Sequence, residues 1–383
     1  MKGFNETTLG QILMFQRGFD ITKKEQTFGR IPIVSSSGIS SYHSEFKVEG
    51  PGVVIGRKGT LGTVHFIAQN FWPHDTTLWI KDFKGNDPKF IYYFLQTLHL
   101  EKFDTGSSNP TLNRNHVHKI KVLFPNIVIQ KKIAAILSAY DDLIENNKKR
   151  IQILESMAEE LYKEWFVRFR FPNWENTEFE KGVPKAWDIK SLDELAAYIN
   201  GYPFSPDDWG NEGLPIIKIK ELNNGVCSDT PYFSNDLSEK YRINSGDILF
   251  SWSGSLIVQR WSNGSGWLNQ HLFKVVPNQI MTLELFFYHL KNSIPYLEVL
   301  TTGATMKHIK RKELKQVKVL VPSEDVQIKF RNFIEPLWKE LDLLSSQLKI
   351  LINLKSDLLP RLISGKLSVQ DLDIQFPPLM IEQ

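Results

Sequence analysis

Two long segments of the chain place apolar residues at the spacing of a coiled-coil helix, the first over residues 130–166 and the second near the carboxyl end. The heptad positions of the first segment are Leu137, Ile144, Ile151, Ala158 and Trp165, then Tyr140, Leu154 and Leu161. Those of the second are Ile334, Leu341, Leu348 and Leu362, then Leu337, Leu344, Leu351 and Leu358. Asn147 and Lys355 are polar exceptions. A sustained heptad predicts a long helix with one apolar face.

The simplest partner for each helix is the other one. Because each helix follows its own globular segment, we expect them to pack antiparallel and to hold the two segments at opposite ends. At about 1.5 Å per residue, each helix spans roughly 50–60 Å, a length suited to a spacer. Two independent helices that form a homodimer are the alternative.

The segments before the helices also repeat. Gly18 and Pro32 match Gly201 and Pro215 at an offset of 183 residues. At an offset of 195 the matching pairs are Ile55/Phe250, Gly59/Gly254, Trp72/Trp267, Tyr93/Tyr288 and Leu95/Leu290. At an offset of 197 they are Gly106/Gly303, Leu112/Ile309, Val122/Val319, Pro125/Pro322 and Gln130/Gln327. A domain-sized period predicts a duplicated domain with pseudo-twofold symmetry.

Local patterns within each copy alternate between strand and helix. The β-prone run at 52–56 is followed by a glycine turn, as is its counterpart at 246–250. Residues 90–95 and 285–290 have the pattern of buried short helices, and 120–125 that of a strand ended by proline. We therefore expect mixed α/β (α+β) globular units.

The predicted domain organisation follows from these patterns. Residues 1–129 form the first globular domain and 130–171 the first coiled-coil helix. Residues 172–326 hold a linker and the second globular domain, and 327–383 the second helix with a tail. The segment from Phe171 to Pro184 lacks apolar periodicity and is predicted to be the linker.

Composition excludes several classes of protein. A single cysteine, Cys227, among 383 residues rules out a disulfide framework and a cysteine-rich zinc site. Neither a signal peptide nor a membrane-spanning apolar run is visible, so we expect a cytoplasmic protein without a membrane partner. The net charge of +3 neither demands nor forbids nucleic acid, although residues 306–315 and 113–119 are locally basic.

The chain shows no complete catalytic constellation. Residues 108–111 (SNPT) lack the second proline and the aromatic residue of the amino-methyltransferase motif. Pro206-Asp207 lacks the acid-x-Lys partner of a nuclease, and residues 59–62 are too short for a phosphate loop. The histidines do not have metal-ligand spacing. We expect no catalysis, no metal site and no cofactor in this chain.

Three motifs resemble one known family, the DNA-specificity subunits of type I restriction-modification enzymes. LYKEWFVRFRFP at 161–172 is similar to the central conserved region of that family, and LLPRLISGKL at 358–367 to its carboxyl-terminal one. VIGRKGTLG at 54–62, with Trp72, is similar to a common form of its target-recognition domain. The second copy departs from this motif, with FSWSGS at 250–255.

The resemblance implies a non-catalytic subunit with two target-recognition domains, which recognises a bipartite, asymmetric site in double-stranded DNA. It further implies two modification subunits that use S-adenosylmethionine to methylate adenine N6. Restriction subunits that use ATP and Mg would join them.

Candidate DNA contacts are side chains whose donors and acceptors can reach base edges or phosphates. In the first domain they are Arg57, Lys58, Thr60, His74, Asn109, Asn113 and Arg114. In the second they are Ser253, Ser255, Gln259, Arg260, Asn269, Gln270, Lys307, Lys310 and Arg311.

Two other functions remain open at this point. A coiled-coil adaptor whose globular halves bind proteins would have the same helical pattern. A fused single-chain methyltransferase is disfavoured by the missing motif.

Overall fold

The computed structural model describes residues 3–103, 111–300 and 309–374. The chain divides into two compact units: unit 1 is Met1–Asn146 with Leu348–Gln383, and unit 2 is Asn147–Gln347. The division passes through both long helices, so each unit contains one globular repeat and part of each helix. Within the described ranges, no helix is long and apolar enough to cross a membrane.

The first repeat consists of short strands and helices that precede a long helix. In chain order they are β1 (Phe4–Thr8), α1 (Leu9–Ile12), β2 (Met14–Arg17), β3 (Ile31–Ser35), β4 (Gly38–His43), β5 (Gly52–Gly56), β6 (Val64–Ile67), β7 (Trp72–Pro73), β8 (Thr77–Asp82), α2 (Pro88–Gln96), α3 (Arg114–Val117), β9 (Lys121–Pro125) and α4 (Ile127–Phe166). One antiparallel sheet has the strand order β2-β8-β5-β6. A second sheet has the order β4-β3-β7, with β3 and β7 parallel, and β1 pairs with β9.

The second repeat has the same plan. In chain order its elements are β10 (Phe179–Glu180), β11 (Val183–Pro184), β12 (Asp188–Ser191), α5 (Leu192–Leu195), β13 (Ala196–Asn200), β14 (Leu214–Ile217), α6 (Ile219–Asn224), β15 (Tyr232–Phe233), β16 (Arg242–Ile243), β17 (Ile248–Ser251), β18 (Ile257–Arg260), β19 (Gly266–Leu268), β20 (Leu272–Pro277), α7 (Leu283–Leu300), α8 (Arg311–Gln316), β21 (Lys318–Val321) and α9 (Glu324–Ile363). The sheet β13-β20-β17-β18 corresponds to β2-β8-β5-β6. The parallel pair β14·β19 corresponds to β3·β7, and β12·β21 to β1·β9. The mixed α/β duplication predicted from the sequence is confirmed.

The paired glycines of the repeat are explained by a close approach of two backbones. A Cβ atom on Gly18 would lie 2.1 Å from the carbonyl oxygen of His74. A Cβ atom on Gly201 would lie 2.2 Å from the carbonyl oxygen of Asn269. Both distances are impossible for a real side chain, so the same site in each unit requires glycine.

The paired glutamines join the start of each long helix to its globular repeat. The Gln130 amide nitrogen donates to the Pro125 carbonyl at 2.9 Å, and its amide oxygen accepts from the Asp87 backbone at 3.0 Å. Gln327 makes the same pair of bonds to Pro322, at 3.0 Å, and Thr282, at 2.9 Å. Each buried side chain thereby satisfies backbone groups that water cannot reach.

The two long helices pack antiparallel within each unit. In unit 1, Leu137 of α4 lies in one core with Leu358 and Leu362 of α9. In unit 2, Arg150 pairs with Glu340, and Trp165 contacts Phe330 with ring centroids 5.7 Å apart. Residue numbers rise along α4 as those of its partners on α9 fall, which confirms the predicted direction.

The heptad residues lie at the seam between the helices to different depths. Leu137 and Ile334 are fully buried. The partly buried ones are Ile144, Ile151, Leu154, Leu161, Leu341, Leu348, Leu351 and Leu358. The polar exception Asn147 is buried as well.

The segment predicted as a linker is ordered structure packed on unit 2. It contains the hairpin of β10 and β11. Phe171 is buried at one end of the segment and Trp187 just beyond the other, with ring centroids 5.0 Å apart. Isolated aromatic anchors of this kind leave no periodic signal in the sequence, so the hairpin and its packing were not predicted.

Candidate nucleic-acid interface

In unit 1 the turn after β5 lies beside the segment that leads into α3. Backbone nitrogens of Arg57 and Lys58 donate to the Thr76 carbonyl at 2.9 and 3.0 Å, which fixes the turn against the start of β8. The Arg57 carbonyl accepts from the Leu112 backbone at 3.0 Å. Two candidate segments that are distant in sequence therefore form one surface.

A cavity of about 320 Å³ opens on this surface, and arginine side chains dominate its walls. It is lined by Arg17, Arg57, Leu78, Thr111, Leu112, Asn113 and Arg114. Arg57, Asn113 and Arg114 were predicted from the sequence, whereas Arg17 at the end of β2 was not. The cavity suits a ligand rich in hydrogen-bond acceptors.

Asp75 holds two of these arginines in place. Its carboxylate lies 2.9 Å from Nη2 of Arg17, and its backbone carbonyl accepts from Nη1 of Arg57 at 3.1 Å. Burial, and next the neighbouring Arg17 charge, lower the pKa of Arg57. The arginines thus carry more positive charge than Asp75 balances, which favours acceptor groups of bases or phosphates.

His74 stands beside the same aspartate. Its Nδ1 atom lies 3.1 Å from a carboxylate oxygen of Asp75, and both side chains reach Asp20 within 4.8 Å. The backbone nitrogen of Thr76 donates to this Nδ1 at 3.3 Å. Because Asp75 already pairs with Arg17 and Nδ1 already accepts a hydrogen bond, we assign no metal ion to this group.

The remaining candidates of unit 1 have different surroundings. Lys58 and Thr60 are exposed on the turn. Asn113 caps α3 and accepts from the Asn115 backbone at 2.9 Å, which leaves its amide nitrogen as the donor for a ligand. Asn109 lies outside the described residues.

In unit 2, His271 joins three candidate residues. Its Nδ1 atom lies 3.2 Å from Oγ of Ser253, and its backbone nitrogen donates to the Asn269 side chain at 3.3 Å. Its Nε2 atom lies 3.5 Å from the amide nitrogen of Gln270. The result is a cluster of polar side chains in which the connection between β19 and β20 meets Ser253 of the turn after β17. Ser255 lies nearby on the exposed turn after β17.

Arg260 has an internal partner instead of an open position. Its guanidinium forms two bonds of 2.6 Å to Asp342 on α9 and lies 5.0 Å from the Trp338 ring centre. This bidentate pair ties β18 to the long helix within unit 2. We therefore leave Arg260 out of the proposed DNA contacts.

The other candidates of unit 2 are surface residues. Gln259 is exposed on β18, and Lys310 and Arg311 are exposed where α8 begins. Lys307 lies outside the described residues.

Sequence reasoning missed Arg17, Asp75 and His271. Asp75 and His271 are immediate neighbours of the candidates His74 and Gln270, so extending each candidate segment by one residue would have found them. Arg17 had no such signal, because only the pairing of β2 with β8 brings it to Asp75.

The class of protein follows from comparison with known families. Residues 1–156 and 184–354 each match the family described as the type I restriction modification DNA specificity domain. The chain therefore belongs to the family of type I restriction-modification specificity subunits, with two copies of the domain.

Individual relatives agree with this assignment. The chain is 29% identical over 302 residues to the MjaIX type I restriction enzyme specificity subunit of Methanocaldococcus jannaschii, covering 74% of this chain and 70% of that protein. It is 24% identical over 198 residues to the EcoBI specificity subunit of Escherichia coli, covering 50% of this chain and 41% of that protein. The crystal structure of a type I S subunit from M. genitalium has the same fold, with a TM-score of 0.66, 18% identity and coverage of 94% and 96% of the two chains.

Proposed function

We propose that this chain is the DNA-recognition subunit of a type I restriction-modification complex. Each repeat recognises one half of a bipartite, asymmetric site in double-stranded DNA. The chain itself performs no catalysis and directs other subunits to the site.

The observation that carries this proposal is a repeated scaffold with unlike side chains at equivalent positions. Unit 1 offers Arg17, Arg57 and Arg114, whereas unit 2 offers Gln270, with the buried Asn269 holding the neighbouring His271 backbone. Arginine binds guanine in the major groove, whereas asparagine and glutamine bind adenine, each through two hydrogen bonds. Two such surfaces on one scaffold are suited to half-sites of different sequence.

The catalytic steps belong to partner subunits in this proposal. Two modification subunits bring S-adenosylmethionine and methylate adenine N6, and restriction subunits bring ATP and Mg. Membership of the specificity-subunit family supports this division of labour.

A genome-wide map of N6-methyladenine tests the proposal. Cells with this gene and the neighbouring methyltransferase gene are compared with cells that lack only this gene, and with deleted cells that carry it on a plasmid. We expect one bipartite motif that disappears on deletion and returns on complementation. An unchanged map, together with no binding of the purified complex to genomic DNA fragments, would contradict the proposal and favour the adaptor function.

A further inference from the structure

The connection between β2 and β3 holds a phenylalanine entirely in solvent. The relative accessibility of Phe28 is 102%, the highest among the exposed large hydrophobic side chains of the described residues. A phenyl ring left in water gives up the free energy that its burial would supply. Its full exposure leaves the ring available to a partner.

The backbone on both sides of Phe28 is fixed. The Thr27 backbone nitrogen donates to Nδ1 of His43 at 3.0 Å, and the Thr27 hydroxyl lies 2.6 Å from the Ser44 hydroxyl. On the other side, a Cβ atom on Gly29 would lie 2.1 Å from the His43 carbonyl oxygen, so this backbone is packed directly on β4. The ring is presented by a held loop, which lowers the entropy lost when it binds.

The charge around the ring matches a polyanion. Residues 22–30 include Lys23, Lys24 and Arg30, all exposed. The acid among them, Glu25, accepts from the backbone and hydroxyl of Thr22 at 2.7 and 2.8 Å, and these bonds lower its pKa, so it stays negatively charged and the three cations outnumber it. An exposed aromatic ring among cations is the combination that binds nucleic acid through bases and phosphates together.

The loop begins next to the arginine surface of unit 1 and ends away from it. Asp20 at its start lies within 4.8 Å of His74 and Asp75. Thr27 is bonded to His43, at the far end of β4 from Gly38. The other end of β4 lies near the Arg57 turn, because the Ser36 carbonyl before β4 accepts from the Thr63 hydroxyl after that turn. At about 3.3 Å per residue, β4 spans roughly 20 Å, a length of about six base-pair steps.

The equivalent connection of unit 2 has an aromatic residue without the charge. Trp209, between β13 and β14, is 52% exposed, and the Lys218 ammonium lies 4.6 Å from its ring centre. Its neighbours include Asp207, Asp208 and Glu212. These acids disfavour approach to phosphates, so the inference is confined to unit 1.

We propose that Phe28 is a DNA wedge: its ring stacks against a base step that flanks the bases bound near Arg57, while Lys23, Lys24 and Arg30 contact the phosphates. Apolar side chains that enter a base step unstack it locally. This inference rests on the proposed function and adds to it a contact that does not distinguish one base from another.

The test uses the full chain, purified with its co-expressed methyltransferase, on duplexes that contain the mapped motif. 2-Aminopurine is placed at successive positions up to eight base pairs outside the first half-site. For the wild type we expect fluorescence to rise at one flanking step. Phe28→Ala should abolish that rise and weaken binding about tenfold, with an unchanged methylated motif and melting temperature.

Two further variants control the result. Phe28→Trp should keep both the affinity and the fluorescence rise, because an indole also stacks. Trp209→Ala removes the exposed aromatic of unit 2 and should leave the fluorescence beside the first half-site unchanged.

Each contrary outcome has a separate meaning. If Phe28→Ala binds as tightly as the wild type with the same fluorescence, the wedge is overturned and the proposed function stands. If Phe28→Ala loses the methyltransferase subunit instead of DNA affinity, the ring is a protein contact and the wedge is overturned. If the wild-type complex does not bind the mapped motif, the proposed function fails together with this inference.

Discussion

The two candidate surfaces share one backbone arrangement and differ in their side chains. Gly18 lies against His74 in unit 1, and Gly201 lies against Asn269 in unit 2, so the connections β7–β8 and β19–β20 are equivalent. In unit 1 the residue after His74 is Asp75, which holds arginines, whereas in unit 2 the residues after Asn269 are Gln270 and His271, whose side chains lie 3.5 Å apart. Under the proposed function, a fixed scaffold of this kind would allow the bound bases to change without a change of fold.

The seam of the long helices shows a second contrast of this kind. In unit 1, Tyr93 donates to Asp141 at 2.6 Å, and Lys355 pairs with the same carboxylate. In unit 2, the matching Tyr288 accepts from Trp338 at 3.2 Å. At this tyrosine position unit 1 has an ion pair and unit 2 has aromatic packing, so equivalent positions tolerate different chemistry.

The largest predicted effect is on stability, and it tests whether the backbone arrangement at Gly18 in unit 1 is the same as that at Gly201 in unit 2. Gly18→Ala and Gly201→Ala each force a Cβ atom to within 2.1 or 2.2 Å of a backbone oxygen. Because backbone on both sides must move, we expect each variant to lose at least about 3 kcal/mol of stability or to fail to fold. Urea unfolding of the purified variants measures the loss.

Gly210→Ala is the matched control. Its Cβ atom would lie 3.5 Å from the Tyr232 carbonyl oxygen, an ordinary contact, so we expect a change within about 1 kcal/mol. A mild effect at Gly18 with a severe one at Gly201 would show that the two connections are not equivalent.

The next effect separates the two arginines that the sequence placed together as DNA contacts. Arg57→Ala removes a cavity-lining guanidinium, and we expect about 1–3 kcal/mol weaker binding to one half-site with little change in stability. The measurement is the affinity of the complex for duplexes altered in one half-site at a time.

Arg260→Ala should affect stability and not DNA binding, the opposite of Arg57→Ala. It breaks the bidentate pair with Asp342, and we expect about 1–2 kcal/mol lower stability with an unchanged methylated motif. If Arg260→Ala changes the motif while Arg57→Ala does not, our assignment of the two residues is reversed.

The sequence predicted the duplication and the helices because both leave periodic signals. It also marked Lys355 as an exception in the heptad, but it could not name the partner: Asp141 lies on the other helix, and only folding brings the two together. The ordered hairpin of β10 and β11 escaped prediction because two-residue strands have no period.

The candidate site was harder to predict than the fold. Sequence reasoning found Arg57 and Arg114 from their chemistry, but their common cavity depends on the bond from Leu112 to the Arg57 carbonyl. Arg260 has the same chemistry as Arg57, and only its contact with Asp342 sets it apart. Residue type identifies what can bind DNA, whereas tertiary contacts decide which of those side chains are free to do so.

A smaller contrast between the two units lies in their hydrophobic cores. His289 in α7 is buried, and its counterpart at the offset of 195 is Phe94 in α2, also buried. Burial lowers the pKa of His289 to about 3, against about 6.5 in the unfolded chain. Between these values the unfolded chain binds a proton that the folded chain does not, so stability falls as the pH falls from about 6.5 toward 3.

We expect the wild type to lose about 2 kcal/mol between pH 7.5 and pH 5 from this residue. His289→Phe, which copies unit 1, should remove that part of the pH dependence. The Tyr162 hydroxyl lies 2.9 Å from His289 Nδ1, so the variant also loses a hydrogen bond at every pH. The informative quantity is therefore the change in the free energy of unfolding between pH 7.5 and pH 5 in each protein. Parallel pH profiles for the two proteins would show that His289 does not cause the loss.

The smallest effect concerns the caps of α1 and α5. The Ser191 backbone and hydroxyl both donate to Glu194 at 2.6 Å, which lowers the pKa of Glu194 to about 2. In unit 1 the uncharged Gln11 accepts from the Thr8 backbone at 2.9 Å instead. A depressed carboxyl pKa stabilises the fold above about pH 4.5, and this contribution is lost as the pH falls toward 2.

Glu194→Gln gives unit 2 the uncharged cap of unit 1. Because the carboxylate is exposed to solvent, we expect the variant to be less stable above about pH 4.5 by a smaller amount than the effect at His289, and the difference should shrink below that pH. Thermal unfolding of wild type and variant at pH 5 and pH 3 measures it, and the two melting temperatures should converge at the lower pH. A constant difference at both values would mean that the cap acts through packing, because a contribution from the charge of Glu194 must shrink between pH 5 and pH 3.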